Sequence, residues 1–511
     1  MAGKTFAAIN VGSNEISMKI CEITAKKGAR ELDYVKNIIE LGSDTYNNGY
    51  IGEESLKKLC DTLNRFKKKM AEYRVSDYRA YASSAVREAE NSALILERIR
   101  IHTDINVEVL SNSEQRFMNY KAFVYSGMDM DVKTNKNNVL LDIGAGSLQI
   151  SVFDKQNLVQ TQNLPIGAVR IRDYLTRFGS DTVALENIME EYVSNFIIEF
   201  RNIFLNDKDI KSIIAIGDGI NNLKKVGPEL NIQNSITRDE FQILYDKVAD
   251  ANPEELADKY GIPYERATLM LPVAIIYQSF LDNSRAEEIL TPNVTLCDGI
   301  IADYIDKQEI CLIDKDFDQD IIASANSIAK KYKVNKAHTQ NVVNNALTIF
   351  DSIKGLHGYG RRERLQLQIA AMLHCCGKFV DMKQGAGISY DIIMATEILG
   401  LSHKEREEIA NIVRYNTFYM PSEEKASEQL KSADYMKVAK LASILRLADV
   451  MDKSHKQKIK KLKLVLKDDT LIIYADTLED LTLEAGLMKT SKVLFEKVYG
   501  INPVLKQRRG M

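Results

Sequence analysis

The 511-residue chain predicts two successive α/β domains, a long helical domain and a small α+β unit at its end. Three observations carry this. An apolar strand, a glycine turn and a second strand at Phe6 to Ile23 return in the same order at Asn138 to Phe153, as an internal repeat. From Phe317 the β-branched runs give way to almost continuous helical periodicity up to about Met451. From Lys461, Leu-Lys-Leu-Val-Leu, Asp468-Asp469 and Thr-Leu-Ile-Ile-Tyr read as a hairpin with an acidic turn. The expected domains are 1–132, 133–310, 315–455 and 456–511.

Each element has a local reason. Phe6 to Ile23 alternates around Gly12-Ser13-Asn14, a tight turn between paired strands. Leu56, Leu59, Leu63, Phe66 and Met70 recur at helical spacing, and Tyr78 to Val86 returns to strand and turn character. Val107 to Leu110 is a short strand feeding a helix that begins near Ser113. Asp129 to Asn138 is polar and lacks periodicity, which suits a domain boundary. In the second block, Asn138 to Asp154 holds a Gly-Ala-Gly-Ser turn between strands, Ile213 to Asn222 gives a strand and a glycine turn, and helical patterns continue to about Tyr304. After the C-terminal hairpin, Leu487 to Val498 reads as a helix.

Composition narrows the function classes. With 68 Lys+Arg against 71 Asp+Glu, 45% hydrophobic and 27% charged residues, the chain is neither a polybasic nucleic-acid binder nor disordered. The six cysteines show no zinc-type CxxC spacing and no disulfide framework. No apolar run approaches the roughly 20 residues of a membrane span, and Met1 to Lys4 leads straight into a strand. A cytoplasmic protein without membrane or nucleic-acid partners is expected, and a homodimer is compatible with the sequence.

Two turns carry the chemistry. Asn10-Val11-Gly12-Ser13-Asn14 and Asp142-Ile143-Gly144-Ala145-Gly146-Ser147 offer small residues whose backbone N–H groups can approach phosphate oxygens, with hydroxyls as further donors. Ser13, Asn14, Gly144, Gly146 and Ser147 are the candidate phosphate ligands. Asp142, a carboxylate ending a strand, is placed to hold Mg2+ or to orient water. Asn10, at the equivalent first-domain position, carries no charge.

These segments resemble the exopolyphosphatase and guanosine pentaphosphate phosphohydrolase (Ppx/GppA) family. Ala8 to Asn14 looks like its first phosphate loop, Ala82 to Asn91 like its second signature, and Leu141 to Ser147 like its second phosphate loop. Leu164 to Arg170, and Glu265-Arg266-Ala267 followed by Leu271-Pro272, resemble further signatures. The resemblance implies an actin-like (ribonuclease H-like) duplicated fold and Mg2+-dependent hydrolysis of a terminal phosphate from polyphosphate or guanosine pentaphosphate in an interdomain cleft. Guanosine tetraphosphate joins these as an implied ligand. It implies Glu114 as general base, through a one-residue gap after Ser111; without the gap Gln115 takes that position. Arg87 would grip phosphate as a forked donor.

The departures fall where charge matters. The family pattern has Asp at Asn10, Gly at Ala145 and Glu at Gln149, so two carboxylates are lost and Mg2+ affinity should fall. Asp218, in a third glycine turn, would repel phosphate if it pointed inward. A weakened hydrolase is therefore expected, with a catalytically degenerate binder of polyphosphate or alarmone as the alternative. The third block resembles an HD-like domain. There His374-Cys375 stands where HD phosphohydrolases have His-Asp, His338 lies near the first expected His, and Leu445 to Asp449 reads as packing with internal ion pairs. With no carboxylate beside His374, a metal-free domain with cysteines as small hydrophobes is expected. The lysine-rich stretch Lys456 to Lys463 reads as solvated surface or a path for a polyanion.

Overall fold

The computed structural model describes residues 3–26, 28–127, 137–154, 157–175, 182–205, 209–310, 315–422, 425, 430 and 434–508. The expected boundary at 132/133 lies outside the described residues. The chain divides into two compact units, Met1–Asp316 and Phe317–Met511.

The first unit holds two sheets built to one plan. Strands β1 (Lys4–Val11), β2 (Glu15–Thr24), β3 (Gly28–Ile38), β4 (Asp77–Ala82) and β5 (Glu108–Val109) lie in the order β3-β2-β1-β4-β5. Strands β6 (Asn137–Ile143), β7 (Leu148–Asp154), β8 (Asn157–Leu164), β9 (Ile210–Ile216), β10 (Ser235–Thr237) and β11 (Glu288–Leu290) lie in the order β10-β11-β9-β6-β7-β8. In each, the first strand pairs antiparallel with the second and parallel with the strand that follows the crossover. The duplication seen in the sequence is thus a duplication of topology, the actin-like arrangement. The third strands, β3 and β8, are absent from the sequence reading. β3 is nowhere fully buried, so it lacks the apolar run that marks β1.

β1 is apolar and buried from Phe6 to Ile9 because both its faces are covered there. Ala7, Ile9 and Val11 enter one core with Leu59, Leu63 and Phe66 of the helix Glu53–Glu72. Phe6 and Ala8 enter another with Ile300, Ile301 and Tyr304. These last belong to the helix Leu296–Lys307, which returns from the end of the unit to cover the first sheet. It runs against the helix Asn112–Tyr125 so closely that any side chain on Gly299 would strike the Met118 backbone. Lys121, on that helix, is buried and paired with Asp303 at 2.9 Å and Asp306 at 2.6 Å.

The second unit is helical from Phe317–Lys331 to Tyr435–Val450 and ends in a three-stranded sheet. The expected hairpin is β12 (Lys461–Lys467) and β13 (Thr470–Asp476). A third strand, β14 (Asn502–Arg508), pairs parallel with β13. Its Pro503 and basic end disguise it in the sequence, and such residues suit a sheet edge.

Candidate functional site

In the first loop, between β1 and β2, the Gly12 N–H donates to the Glu15 carbonyl at 3.0 Å and the Ser13 carbonyl accepts from Gly42 N at 2.7 Å. The Ser13 hydroxyl is occupied inside the domain. It lies 2.9 Å from Ser84 Oγ, accepts from Ala85 N at 3.0 Å, and takes a further bond from the Tyr46 hydroxyl at 3.3 Å. In the second loop, Gly144 N donates to the Ser147 carbonyl, while the Gly144 and Ala145 carbonyls accept from the start of the helix Ala168–Leu175. The loops meet through Tyr46: its hydroxyl end occupies the place a Cβ on Gly146 would take. Arg170 closes the same contact, donating to the Gly146 carbonyl at 2.8 Å and to Glu88 at 2.9 Å, with its guanidinium over the Tyr46 ring.

Asp142 is the centre of the second-domain side. β6–β7 register puts it opposite Gln149, and its Oδ2 accepts from Asn119 and, at 3.5 Å, from Gln115 Nε2. Burial pushes its carboxyl up to about 6, against the hydrogen bonds from Gln115 and Asn119. The amide oxygens of Gln115, Asn119 and Gln149, with those of Asn10 and Asn14 on the first-domain side, are buried without a hydrogen-bond partner. Asp142 is therefore a carboxylate hydrogen-bonded by neutral amides, with the buried Arg116 guanidinium as the charge that also favours its ionised form.

Glu114 is held elsewhere. Ser111 N and Ser111 Oγ donate to its Oε2 at 3.0 and 2.7 Å, and Glu114 N donates back to Ser111 Oγ at 3.2 Å. This is a capping box on the helix Asn112–Tyr125. Gln115, one position on, is the residue this helix turns toward Asp142. The geometry thus matches the ungapped reading of this segment. Arg87 donates to the Leu110 carbonyl at 2.7 Å and to Asn112 Oδ1 at 2.5 Å. Both acceptors are neutral, and burial lowers the Arg87 pKa against the nearby Glu88 and Glu114 carboxylates.

Sequence reasoning missed a charged cavity beside the loops. It measures about 130 Å3 and is lined by Asn14, Glu15, Gly144, Asp218, Arg266 and Met270, among others. Lys36 Nζ reaches both Asp218 oxygens at 2.9 and 2.8 Å and Glu15 at 3.4 Å, and Arg266 pairs with Glu15. Burial and the neighbouring Asp218 push Glu15 up to about 7, while Lys36 holds Asp218 low against burial. Asp218 does line the cavity, as its sequence position threatened, but its charge is answered by Lys36. A Glu beside a loop and a Lys on an irregular strand gave no local signal.

The second unit gathers a further cluster. His338 and His374 present their Nε2 atoms 3.3 Å apart, with Cys375 beside them and Asp449 Oδ1 3.5 Å from each. The carboxylate expected to be missing beside His374 is supplied by Asp449 on the helix Tyr435–Val450, 75 residues further along, through the segment read as packing.

Mg2+ is implied by the family resemblance, and the first-unit donors fit it sparingly. Asp142 offers one carboxylate, and the partnerless oxygens of Gln149 and Gln115 offer neutral ligands. A single carboxylate completed by waters and substrate phosphates is an ordinary Mg2+ environment. Asn10 and Gln149 leave the site with less negative charge than the family pattern.

Residues 20–308 match the model of the Ppx/GppA phosphatase family, and residues 322–493 that of Ppx/GppA phosphatase domain III. A guanosine-5'-triphosphate,3'-diphosphate pyrophosphatase of Aliivibrio fischeri is 19% identical over 449 residues, 86% of each chain. Exopolyphosphatase 1 of Mycobacterium tuberculosis is 28% identical over 169 residues, 33% of this chain and 48% of that one. A bifunctional 3-dehydroquinate synthase/phosphatase of Fusobacterium nucleatum is 26% identical over 175 residues, 33% of this chain and 26% of that one. The matches to these last two thus span less than half of either relative. Among solved structures, the Aquifex aeolicus Ppx/GppA member aligns with a TM-score of 0.50 at 20% identity, over 60% of this chain and 99% of that one. An exopolyphosphatase from Cytophaga hutchinsonii aligns with a TM-score of 0.54 at 19% identity, over 60% and 98%. Both likenesses concern the fold. With a family model spanning more than half its length and the paired loops, the duplicated sheets and the buried strand-end aspartate in place, this chain belongs to the Ppx/GppA phosphatase family.

Proposed function

We propose that the first unit binds the terminal phosphate of inorganic polyphosphate or guanosine pentaphosphate between its two glycine loops and hydrolyses it slowly. The observation that carries this is Asp142, a buried strand-end carboxylate beside a glycine loop, with its pKa raised to about 6. That value leaves it ionised at neutral pH yet basic enough to take a proton from attacking water. Its Oδ2 is held by Asn119 and Gln115, and its Oδ1 accepts from none of the described residues, so that oxygen is left to orient the water.

Phosphoryl transfer is mostly positioning and charge compensation. The loop N–H groups and Arg87 supply donors to the phosphate oxygens. The cavity of about 130 Å3 is smaller than the ~300 Å3 typical of small-molecule pockets, which suits a phosphoryl group rather than a nucleoside. With Glu15 protonated, Lys36, Arg266 and Asp218 leave it one net positive charge. Mg2+, when bound, would be held by Asp142, Gln149 and Gln115 and would offset negative charge on the phosphate oxygens.

A second reading is favoured by the amides at Asn10, Gln115 and Gln149: a binding protein for these polyanions whose turnover is lost. Neutral donors that grip ground state and transition state alike do not raise the rate. Phosphate release from long polyphosphate and from guanosine pentaphosphate, with and without Mg2+, tests the two. Release abolished by Asp142→Asn supports hydrolysis. Tight binding of polyphosphate without release supports the second reading, and neither binding nor release would overturn both.

A further inference from the structure

We propose that the second unit carries a buried tetrahedral Zn2+ site formed by His338, His374, Cys375 and Asp449. Donors of the types zinc prefers converge there from three helices: His338 from Lys336–Ser352 and His374 and Cys375 from the end of Arg361–Leu373 lie within 4.8 Å of one another, and Asp449 from Tyr435–Val450 brings a carboxylate oxygen to 3.5 Å from both imidazoles. Three edges of the donor polyhedron measure 3.3, 3.5 and 3.5 Å. Ligands at about 2.0–2.1 Å from a tetrahedral zinc stand roughly 3.4 Å apart, so the two nitrogens and the oxygen already form one face of the coordination shell. Cys375 lies within 4.8 Å of both nitrogens and supplies the thiolate corner.

The outer contacts orient these donors inward. His374 Nδ1 is 2.8 Å from the Ala371 carbonyl, which only accepts, so the ring proton sits on Nδ1 and the Nε2 lone pair faces the cluster. His338 Nδ1 is 2.8 Å from Asp452 Oδ2, the carboxylate–histidine relay found behind metal-bound imidazoles. Asp452 is fixed in turn by Gln457, whose backbone N–H donates to it at 2.8 Å. Two imidazole lone pairs facing each other at 3.3 Å repel unless a cation lies between them. The thiolate and the Asp449 carboxylate, whose Oδ2 accepts from Lys453 Nζ at 3.2 Å, bring negative charge that a divalent ion offsets. The softness of the sulfur favours zinc over Mg2+ or Ca2+. Four protein donors fill the tetrahedron, so the role that follows is structural: the ion pins three helices together rather than activating water.

Without metal, the same cluster would be balanced by protons on the two imidazoles against the thiolate, and burial notwithstanding, its neighbours raise His338 and His374 and lower Cys375. The experiment must separate these two ways of supplying positive charge. The full chain, purified without chelator, should hold one zinc per chain by elemental analysis. Co2+ exchanged into it should give a thiolate-to-cobalt charge-transfer band, lost in Cys375→Ser, while His374→Ala and Asp449→Asn should each lower the zinc content. Chelation should lower Tm, and zinc should restore it. A folded chain that takes up neither zinc nor cobalt would overturn the proposal, as would stoichiometric zinc retained when Cys375→Ser, His374→Ala and Asp449→Asn are combined. Stoichiometric iron in place of zinc would overturn the assignment of the ion. Should a variant fail to fold, the cobalt titration of the unaltered chain decides alone, since absence of the charge-transfer band excludes Cys375 as a ligand.

Discussion

Gln115 points its side-chain amide at Asp142, 3.5 Å away, while its neighbour Glu114 folds back to accept from the Ser111 hydroxyl at 2.7 Å. A one-residue step along a helix rotates a side chain by about 100°, given 3.6 residues per turn. It decides which of the two residues meets Asp142 and which caps the helix. Glu114→Ala should therefore cost about 1 kcal/mol of stability through the lost cap, with turnover changed little. Glu114→Gln, which can still cap, should be near neutral in both. Urea titrations beside phosphate-release assays check this, and a collapse of turnover in Glu114→Gln would restore Glu114 as the base.

Gln115→Glu should raise Mg2+-dependent phosphate release by about tenfold or more, equivalent to ~1.4 kcal/mol of barrier. Adding Gln149→Glu, and then Asn10→Asp, should raise it further and shift half-saturation to lower Mg2+. The measurement is kcat across a Mg2+ titration for the single, double and triple variants. Unchanged kcat at saturating Mg2+ in all three would mean that charge at these positions does not limit the reaction.

Asp142 couples activity to pH and stability. Its folded pKa of about 6 exceeds the ordinary 3.8, so between these values the native state holds a proton that the unfolded chain has lost. In the metal-free chain, stability from this group is present below about pH 4 and declines as pH rises to 6, and the release measured without Mg2+ should rise with an inflection near 6, whereas bound Mg2+ would hold Asp142 ionised and move the inflection lower. Asp142→Asn should then lower kcat by roughly 10²–10⁴. At pH 8 it should raise Tm, because a buried charge has been removed. A variant that loses activity and stability together at pH 8 would contradict this.

Glu15 should make polyanion binding pH-dependent. Its proton is lost near 7, and above that the cavity gains a negative charge facing the phosphate. Polyphosphate affinity should fall between pH 6 and 8 in the unaltered chain, and Glu15→Gln should flatten the profile. Titrations by fluorescence anisotropy at constant ionic strength read this directly, the constant salt excluding general screening.

Lys121 neutralises Asp303 in a nearly dry setting between the helices Asn112–Tyr125 and Leu296–Lys307. Lys121→Met should be destabilising, but by less than the about 3–5 kcal/mol of a fully stranded buried charge, because Lys307 stays 2.9 Å from Asp303, and Asp303→Asn in the same chain should recover part of the loss. The double-variant cycle measured by denaturant unfolding tests the pair.

The sequence by itself determined the duplicated α/β domains, the helical block and the terminal hairpin. Hydrophobic period and turn chemistry are local, and strands buried on both faces, such as β1, announce themselves as apolar runs. It also pointed to the two glycine loops and to Asp142, because each lies within one short strand-turn-strand segment. Edge strands escaped it: β3 and β14 are half-exposed and mixed in polarity, and only pairing makes them strands. Choosing between Glu114 and Gln115 required the helix phase, which a capping hydroxyl at Ser111 sets. The charged cavity and the His338, His374, Cys375 and Asp449 cluster required tertiary structure altogether. Their members are separated by up to some 250 residues in the first case and 111 in the second. Side-chain convergence at such distances is a property of how helices pack and sheets are crossed, and no window along the chain contains it.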